Sequence, residues 1–383
     1  MSVSHPYLHL EIGDFIVTPD GDPKYVTDFT YTRYTGKGGD KISFTVYDDT
    51  ANEIHFKLLN GTHDLHGSYG LSSNDSSKFE AFIEDWSMSF RGWGCTLTIK
   101  AVNTINATKN STSLDNNQAS PAEIIKKVIE EEKWKIGFVE EMEYIQHNEL
   151  PESPEGDGVQ VHRRFPRDGQ SALEYIQSLL PYCRSQLVRE KDGRGKSGFR
   201  AYLRGEGKDV RFFCHLPETL TGFEVSHEFT VGAPDSNVVF FNIDTYTYHL
   251  RNSRKVKLMY HDSNGNLNVV YAGGPDNLPE NVRTIVHVDQ DQTHVANVAS
   301  KEEAQVLADY MWSLKLFATI KAEIEIIDYG KFVNALDRVI VMVYVGPHST
   351  QHYTTGTYFV ESVTDTIKDG HIFTKLSLGS RQV

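Results

Sequence analysis

Cysteine is scarce. Three residues, Cys95, Cys183 and Cys214, are spread over 383 positions, and no two share a Cys-x-x-Cys spacing. That argues against a disulfide framework and against a cysteine-built zinc site, and reduced thiols are the expectation for a chain made inside a cell. No apolar run approaches the roughly 20 residues that a membrane-crossing helix needs. The opening residues, Met1-Ser2-Val3-Ser4-His5-Pro6, carry neither the basic segment nor the apolar segment of a secretory leader. Positive charge is in deficit: 38 Lys and Arg face 52 Asp and Glu, for a formal net charge of −14. A general nucleic-acid binder needs a basic surface, so this balance argues against that class and against an anionic-membrane binder. Acidity suits solubility, or a surface past which DNA moves without sticking.

Catalytic signatures are also missing. No Gly-x-Ser-x-Gly elbow occurs. Gly36-Lys37-Gly38-Gly39 lacks the ending of a phosphate loop, and Gly195-Lys196-Ser197 has the ending but Glu190 where the leading glycine belongs. Both read as hairpin loops. Cys183 follows Pro181-Tyr182 with no evident His partner and reads as a small core residue. The acidic runs Glu130-Glu131-Glu132, Glu140-Glu141 and Glu143 read as solvated faces, not as a glycosidase carboxylate pair. The most metal-like stretch is His287-Val288-Asp289-Gln290-Asp291, whose alternation puts His287, Asp289 and Asp291 on one strand face. It lacks the glycine and distal glutamate of a calcium loop. No catalytic, cofactor-binding or metal residue is assigned, and no cofactor is expected.

Length alone argues for two to four domains. The first hundred residues alternate in short β-like segments: Tyr7 to Ile12, Tyr25 to Tyr34, Lys41 to Tyr47, Ile54 to Leu59, His63 to Leu71 and Phe79 to Val102. A polar Asn/Ser/Thr tract follows and reads as a linker over 105–119. Ser120-Pro121-Ala122-Glu123 is a capping box with proline at the first helical position, and Ile124, Ile125, Val128 and Ile129 give that helix one apolar face. A second helix is expected from near Asp168, with Ala172, Leu173, Ile176, Leu179 and Leu180 on one side, then a hairpin turned at Asp192-Gly193. From about 218 the strand pattern returns. Asn264-Gly265 marks a hairpin turn, and Ser300-Lys301-Glu302-Glu303 opens a helix to about Lys315 that faces Ala304, Leu307, Ala308, Met311 and Trp312 inward. Strands at Ala318 to Ile327, Arg338 to Val345, Tyr358 to Thr366 and His371 to Leu378 close the chain.

The fold class expected is mainly β with an α+β insert: two similar antiparallel β-barrel domains and a small helix-containing middle domain. The boundaries read 1–104 for the first barrel, 120–217 for the insert and 218–383 for the second barrel with its helix near 300–315. The similarity rests on an internal echo. Phe82-Ile83-Glu84-Asp85-Trp86 through Phe90-Arg91-Gly92 to Thr96-Leu97-Thr98-Ile99 resembles Phe359-Val360-Glu361-Ser362-Val363 through Ile367-Lys368-Asp369-Gly370 to Thr374-Lys375-Leu376-Ser377-Leu378. Each is a strand, a turn with a basic residue before it, and a second strand. The alternative is that antiparallel hairpins share patterning and turn chemistry without common origin.

Three segments carry a family resemblance: Ser120 to Ile129, Arg167 to Leu179, and Ser300 to Ala308 with the closing Gly356-Thr357-Tyr358-Phe359-Val360-Glu361-Ser362-Val363. In that order they resemble the tail (baseplate) hub proteins of tailed phages, the related late control protein D family, and the hub portion of type VI secretion spike proteins. One departure is visible. The family commonly has Pro-Gly-Asp before its penultimate strands, where this chain reads Val333-Asn334-Ala335-Leu336-Asp337-Arg338-Val339 and keeps only the acidic residue and the following strand. The chain ends at Val383 directly after the second barrel, where the secretion spikes continue, so a stand-alone hub is expected. The resemblance implies a non-enzymatic virion component in the tail or baseplate, assembled in the host cytoplasm. It implies a homotrimer whose six barrels form a pseudo-sixfold ring, matching a hexameric tail tube on one side and a trimeric spike or central fibre on the other. Other baseplate proteins would adjoin it, and genome DNA would pass through its lumen without specific binding. A trimer meets a hexamer only if each subunit supplies two equivalent contacts. Two alternatives stand beside it: a hexameric distal tail ring protein, and a carbohydrate-binding or carbohydrate-degrading β-rich protein, for which Trp86, Trp93, Tyr246 and Tyr248 offer a sugar platform. The local basic patch of Arg251, Arg254, Lys255 and Lys257 is either a solvated edge or a contact for an acidic neighbour.

Overall fold

A computed structural model describes residues 6–23, 26–34, 40–92, 94–103, 109–112, 120–144, 167–190, 193–205, 209–220, 225–233, 236–244, 255–261, 265–273, 291–295, 298, 300–317, 320–329, 331–345, 350–351 and 355–380. The N-terminal β-unit holds β1 (Tyr7–Ile12), β2 (Phe15–Ile16), β3 (Val26–Tyr34), β4 (Lys41–Tyr47), β5 (Asp64–Ser72), β6 (Asp75–Arg91) and β7 (Gly94–Asn103). Alternation works here as a half-buried strand requires: Leu8, Leu10 and Ile12 are buried on β1, and Ile42, Phe44 and Val46 on β4, with the intervening residues partly or fully exposed.

One expected strand is a helix. Residues Asp48–Leu59 are α-helical, which overturns the strand reading of Ile54 to Leu59. The buried residues are Ala51, Ile54 and Leu58, spaced three and four apart, while Phe56 and Leu59 point to solvent. That is the helical period. Asp48 and Asp49 complement the helix dipole at its first turn, and Gly61 at φ 87° ends it, its N–H bonded to Leu58 O at 3.0 Å.

The middle segment holds β8 (Lys109–Thr112), β9 (Lys135–Val139), β10 (Met142–Tyr144), β11 (Arg167–Ser171), β12 (Cys183–Ser185), β13 (Arg200–Arg204) and β14 (Arg211–His215). β8 lies inside the tract read as linker and pairs antiparallel with β11. The helix Pro121–Glu131 starts where its capping box predicts: Ser120 Oγ accepts from Glu123 N–H at 3.3 Å, and Glu123 Oε2 accepts from Ser120 N–H at 2.8 Å. The second helix spans Ala172–Leu179, not from Asp168, because a second capping box, Ser171 with Glu174, sets its start and Arg167–Ser171 is extended. The two helices bury Ile124, Ile125, Val128, Ile129, Tyr175, Ile176 and Leu179 in a core shared with Phe199 and Phe212. Each such aliphatic side chain contributes about 1.5–3 kcal/mol by leaving water. Of the hairpin read at Asp192-Gly193, Asp192 lies outside the described residues; around it Arg189 bridges Gly195, and Glu190 N–H bonds Arg194 O at 2.7 Å.

The C-terminal segment holds β15 (His227–Val231), β16 (Val238–Asp244), β17 (Lys255–His261), β18 (Leu267–Ala272), β19 (Asp291–Val295), the helix Lys301–Phe317, β20 (Ile320–Ile327), β21 (Arg338–Val345), β22 (Thr350–Gln351), β23 (Gly356–Lys368) and β24 (His371–Ser380). β17 and β18 form the expected hairpin, and with the helix Lys301–Phe317 they enclose a separate core of Val256, Leu258, Val270, Ala304, Ala308 and Trp312. Ser300 Oγ accepts from Glu303 N–H at 3.1 Å, as a helix start requires. Leu307 and Met311 pack against the same core.

Both β-units share one 14-stranded, mostly antiparallel sheet in the order β16-β20-β24-β23-β3-β4-β7-β6-β5-β1-β2, with β21 on β23 and β15 and β22 on β21. The fold is therefore mainly β with a helix-containing middle segment, as expected. Two further hydrophobic cores lie on this sheet, one under residues 8–101 with Ile367 and Ile372, the other under residues 229–378.

Candidate assembly surface

The two hairpins singled out in the sequence have the same register. In β6–β7, Ile83 pairs with Ala101 and Asp85 with Lys100, so Glu84 is an extra residue. In β23–β24, Val360 pairs with Leu378 and Ser362 with Ser377, so Glu361 is an extra residue. Both bulges fall on the glutamate that the echo aligns. The turns match too, from Arg91↔Gly94 and from Lys368↔His371, with the first loop residue left-handed in each, Gly92 at φ 59° and Asp369 at φ 52°. A single offset of 277 carries every pair of one hairpin onto the other, as Ile83 onto Val360 and Ala101 onto Leu378. Bulges are placed features that bend a strand and raise its twist. One coinciding bulge and one coinciding turn exceed what shared period-two patterning requires.

The likeness extends outward. β4 lies on β7 as β20 lies on β24, with Ile42↔Ala101 matching Ala322↔Leu378. β3 lies on β4 as β16 lies on β20, with Tyr31↔Ile42 matching Ile243↔Ala322, and each outer strand carries a one-residue shift near its start. β5 lies on β6 as β21 lies on β23. The chain order is the same in both sets. β17–β19 and the helix Lys301–Phe317 occupy the β16–β20 connection, where the N-terminal set has only the short link between β3 and β4.

The two sets meet where β23 pairs antiparallel with β3, from Ser362↔Tyr34 to Ile367↔Phe29. A buried polar cluster pins this junction. Arg33 of β3 and Asp365 of β23 form an ion pair and are 6% and 4% exposed. Asp365 also accepts from Tyr69 Oη at 2.5 Å and from Thr374 Oγ1 at 2.6 Å. Burial pushes the Tyr69 phenol well above its usual range, which keeps it a donor. The Arg33 guanidinium lies 3.9 Å from the Phe332 ring centroid, a stacked cation–π contact. Apolar neighbours Phe29 and Ile367 seal the cluster.

A second buried group ties the middle segment to the C-terminal set. Arg204 of β13 contacts Asp337 at 2.6 Å, Asn334 N–H donates to Asp337 at 2.7 Å, and His227 Nε2 lies 3.4 Å from it. Asp337 is the acidic residue that the hub resemblance keeps. Before it, Leu336 holds φ 61°, its N–H bonded to Val360 O at 2.7 Å.

The other residues singled out in the sequence fare unevenly. Glu140 corrects the reading of the acidic runs: it is fully buried, accepting from Leu216 N–H at 2.9 Å, from Thr219 Oγ1 at 2.5 Å and from Ser185 Oγ. Glu130, Glu131, Glu141 and Glu143 are exposed. Cys183 is a buried core residue, and burial raises its thiol well above the ordinary value. Ser197, read in a solvated loop, is buried and donates to Cys183 O at 3.3 Å. His287, Asp289, Trp93, Tyr246, Tyr248, Arg251, Arg254 and the loop Gly36-Lys37-Gly38-Gly39 lie outside the described residues. Asp291 begins β19. Trp86 packs against the N-terminal core with its ring 5.4 Å from His63. Among the described residues no group of three or more His, Cys, Asp or Glu side chains is placed to hold a metal ion, and no helix is long and apolar enough to cross a membrane.

Compared by sequence, the chain matches no protein-family model and no curated protein. Compared by structure, it is similar to the tail protein from Neisseria meningitidis MC58, with a TM-score of 0.60 at 9% identity over 98% of this chain and 97% of that one. It is similar to the 43 kDa tail protein of prophage MuSo2 from Shewanella oneidensis, with a TM-score of 0.56 at 10% identity over 97% and 96%. A chain of the Francisella PdpA-VgrG complex aligns with a TM-score of 0.50 at 8% identity, over 98% of this chain and 52% of that one. The chain thus shares a fold with these tail proteins and with a chain of the PdpA-VgrG complex.

Proposed function

We propose that this chain is a non-enzymatic tail hub: a structural virion component that trimerises into a pseudo-sixfold ring and joins a hexameric tail tube to a trimeric central spike or fibre. The observation that carries the reading is the repeated five-strand set with its coincident bulge and turn. A subunit that must offer a sixfold partner two equal contacts needs such a repeat. On this reading residues 1–104 and 218–383 are the two tube-like units, the second with its helix near 300–315, and 120–217 is the insert between them. The likeness in fold to tail proteins over nearly their whole length supports it. Its setting would be the virion tail or baseplate, assembled in the host cytoplasm beside other baseplate proteins. Genome DNA would pass through the lumen past acidic groups without specific binding, as the net charge of −14 favours.

Light scattering across a concentration series tests the core of this reading. The expected result is a particle of three times 43.3 kDa with pseudo-sixfold averages in electron micrographs. A hexamer would instead support a distal tail ring. A monomer at every concentration that binds glycan would support the carbohydrate reading.

A further inference from the structure

Among the described residues, the repeat leaves two strand edges without the partner that their counterparts have. β23 from Ser362 to Ile367 is paired on both sides, by β24 and by β3. Its counterpart, β6 from Asp85 to Arg91, is paired among the described residues by β7 alone. β3 is likewise paired on both sides, by β4 and β23. Its counterpart β16 is paired among the described residues by β20 alone and ends the sheet. Among the described residues, one edge of each type is thus used inside the chain and one is left over. An open strand edge is a template for another chain.

We propose that β6 of one copy pairs antiparallel with β16 of the next, repeating the β23–β3 junction between subunits. The proposal rests on the hub reading and names the surface that would close its ring. The equivalences fix the register. Ile367↔Phe29 becomes Phe90↔Phe241, Thr366↔Thr30 becomes Ser89↔Asn242, and Asp365↔Tyr31 becomes Met88↔Ile243. The side-chain chemistry agrees with this register. At the internal junction Phe29 and Ile367 are 1% and 7% exposed. Phe90, the counterpart of Ile367, is 72% exposed in the single chain, and Phe241 is only partly covered. Pairing would bury Phe90 on Phe241 and Met88 on Ile243 along one face, extending both cores across the subunit boundary. Ser89 and Asn242 fall on the other face, where the internal junction has Thr366 and Thr30. The ion pair of the internal junction is not repeated, because Met88 stands where Asp365 stands. The contact is head-to-tail, so it closes a ring or runs on as a filament.

Cysteine crosslinking of the full chain tests it. The native cysteines are all buried. Directly opposed Cβ atoms lie roughly 4.5–5.5 Å apart and diagonal ones about 7–8 Å apart, so only opposed cysteines are near disulfide range. Mild oxidation of the Ser89→Cys/Asn242→Cys variant is expected to give a non-reducing ladder that stops at three copies. The Ser87→Cys/Asn242→Cys variant, two residues out of register, should stay at least tenfold less crosslinked. Phe90→Asp, an exposed change that leaves the far-ultraviolet spectrum as it was, should weaken trimerisation at least tenfold. A trimer that gives no 89–242 crosslink, or that is indifferent to Phe90→Asp, overturns the edge pairing and leaves the hub standing. A ladder that continues past three copies keeps the pairing and overturns the hub. A persistent monomer that never crosslinks at the highest concentration reached overturns both.

Discussion

Asp365→Asn is the sharpest probe of what joins the two β-units. Tyr69 Oη donates to Asp365 Oδ2 at 2.5 Å and Thr374 Oγ1 to Oδ1 at 2.6 Å, and the amide keeps an acceptor oxygen for one of these hydroxyls and sets its NH2 against the other. What the substitution removes is the carboxylate paired with Arg33, a side chain 6% exposed whose guanidinium lies against the Phe332 and Tyr31 rings. A buried cation left uncompensated costs about 3–5 kcal/mol, far above the ~1 kcal/mol of a surface pair. The damage should be local, because the neighbouring cores of β17–β18 and of the middle segment do not contain either residue. Hydrogen exchange resolves it. At about 1.4 kcal/mol per tenfold, amides of β3 and β23 should exchange two to nearly four orders of magnitude faster, while those of β17 and β18 stay within tenfold of the parent. Adding Arg33→Met should recover most of the loss, since an apolar replacement leaves no buried charge. An Asp365→Asn effect below tenfold, or a double variant as weak as the summed singles, would refute the claim that this ion pair holds the junction.

Leu336→Gly should destabilise the protein although it supplies the residue that suits φ 61°. Relief of the left-handed strain returns about 1–2 kcal/mol, but Leu336 is 5% exposed in a cluster with Tyr202, so its loss costs about 2–5 kcal/mol; a rise in melting temperature would contradict this. Ser171→Ala removes the acceptor for Glu174 N–H and should cost about 1 kcal/mol in denaturant titration, with exchange quickened first in Ala172–Leu179. Cys183 and Cys214, both fully buried with thiols raised by burial, should resist a thiol reagent in the native protein and react fully in denaturant. Glu361 has its pKa raised by burial, so the folded state holds its proton more tightly than the unfolded chain. Its contribution is therefore greatest at low pH and falls as pH climbs through the carboxylate range, and Glu361→Gln should flatten that part of the stability-against-pH curve.

Much of the fold was legible because local chemistry and tertiary packing agreed. Capping boxes at Ser120 and Ser300 placed two helices, and Asp369-Gly370 placed the last turn. The failures have physical reasons. Ile54 to Leu59 contains Phe56 and Leu59 as exposed apolar residues, which mimic a strand run and mask the Ala51–Ile54–Leu58 stripe. Arg167–Ser171 reads as a helix start because Asp168 is a good cap, yet Ser171-Ala172-Leu173-Glu174 held the true capping box just beyond it. Glu140 carries no local mark of burial; Ser185, Leu216 and Thr219, its partners, are brought there only by tertiary structure. The Arg33–Asp365 pair spans 332 residues and has no short-range signal either.

The echo between the hairpins was visible, but its meaning was not, because a shared alternation costs a sequence nothing. Coincident defects are more informative than coincident regularity. Any two well-formed hairpins share alternation, whereas a bulge interrupts pairing and must be placed. Glu84 and Glu361 sit at the same bulge although one is exposed and the other is partly buried on a strand flanked by β24. Packing therefore does not explain why both are kept; the bend that each bulge imposes on its long strand does. Two strand sets of one sheet, each bent at the same place, curve alike there, and equal curvature in successive units is what lets head-to-tail contacts between strand edges close on themselves. Opening the curve in one unit alone should then harm closure more than folding. Deleting Glu84, at an exposed position, should leave a folded monomer that fails to form the closed ring; a closed trimer from that variant would show that curvature at this bulge does not govern assembly.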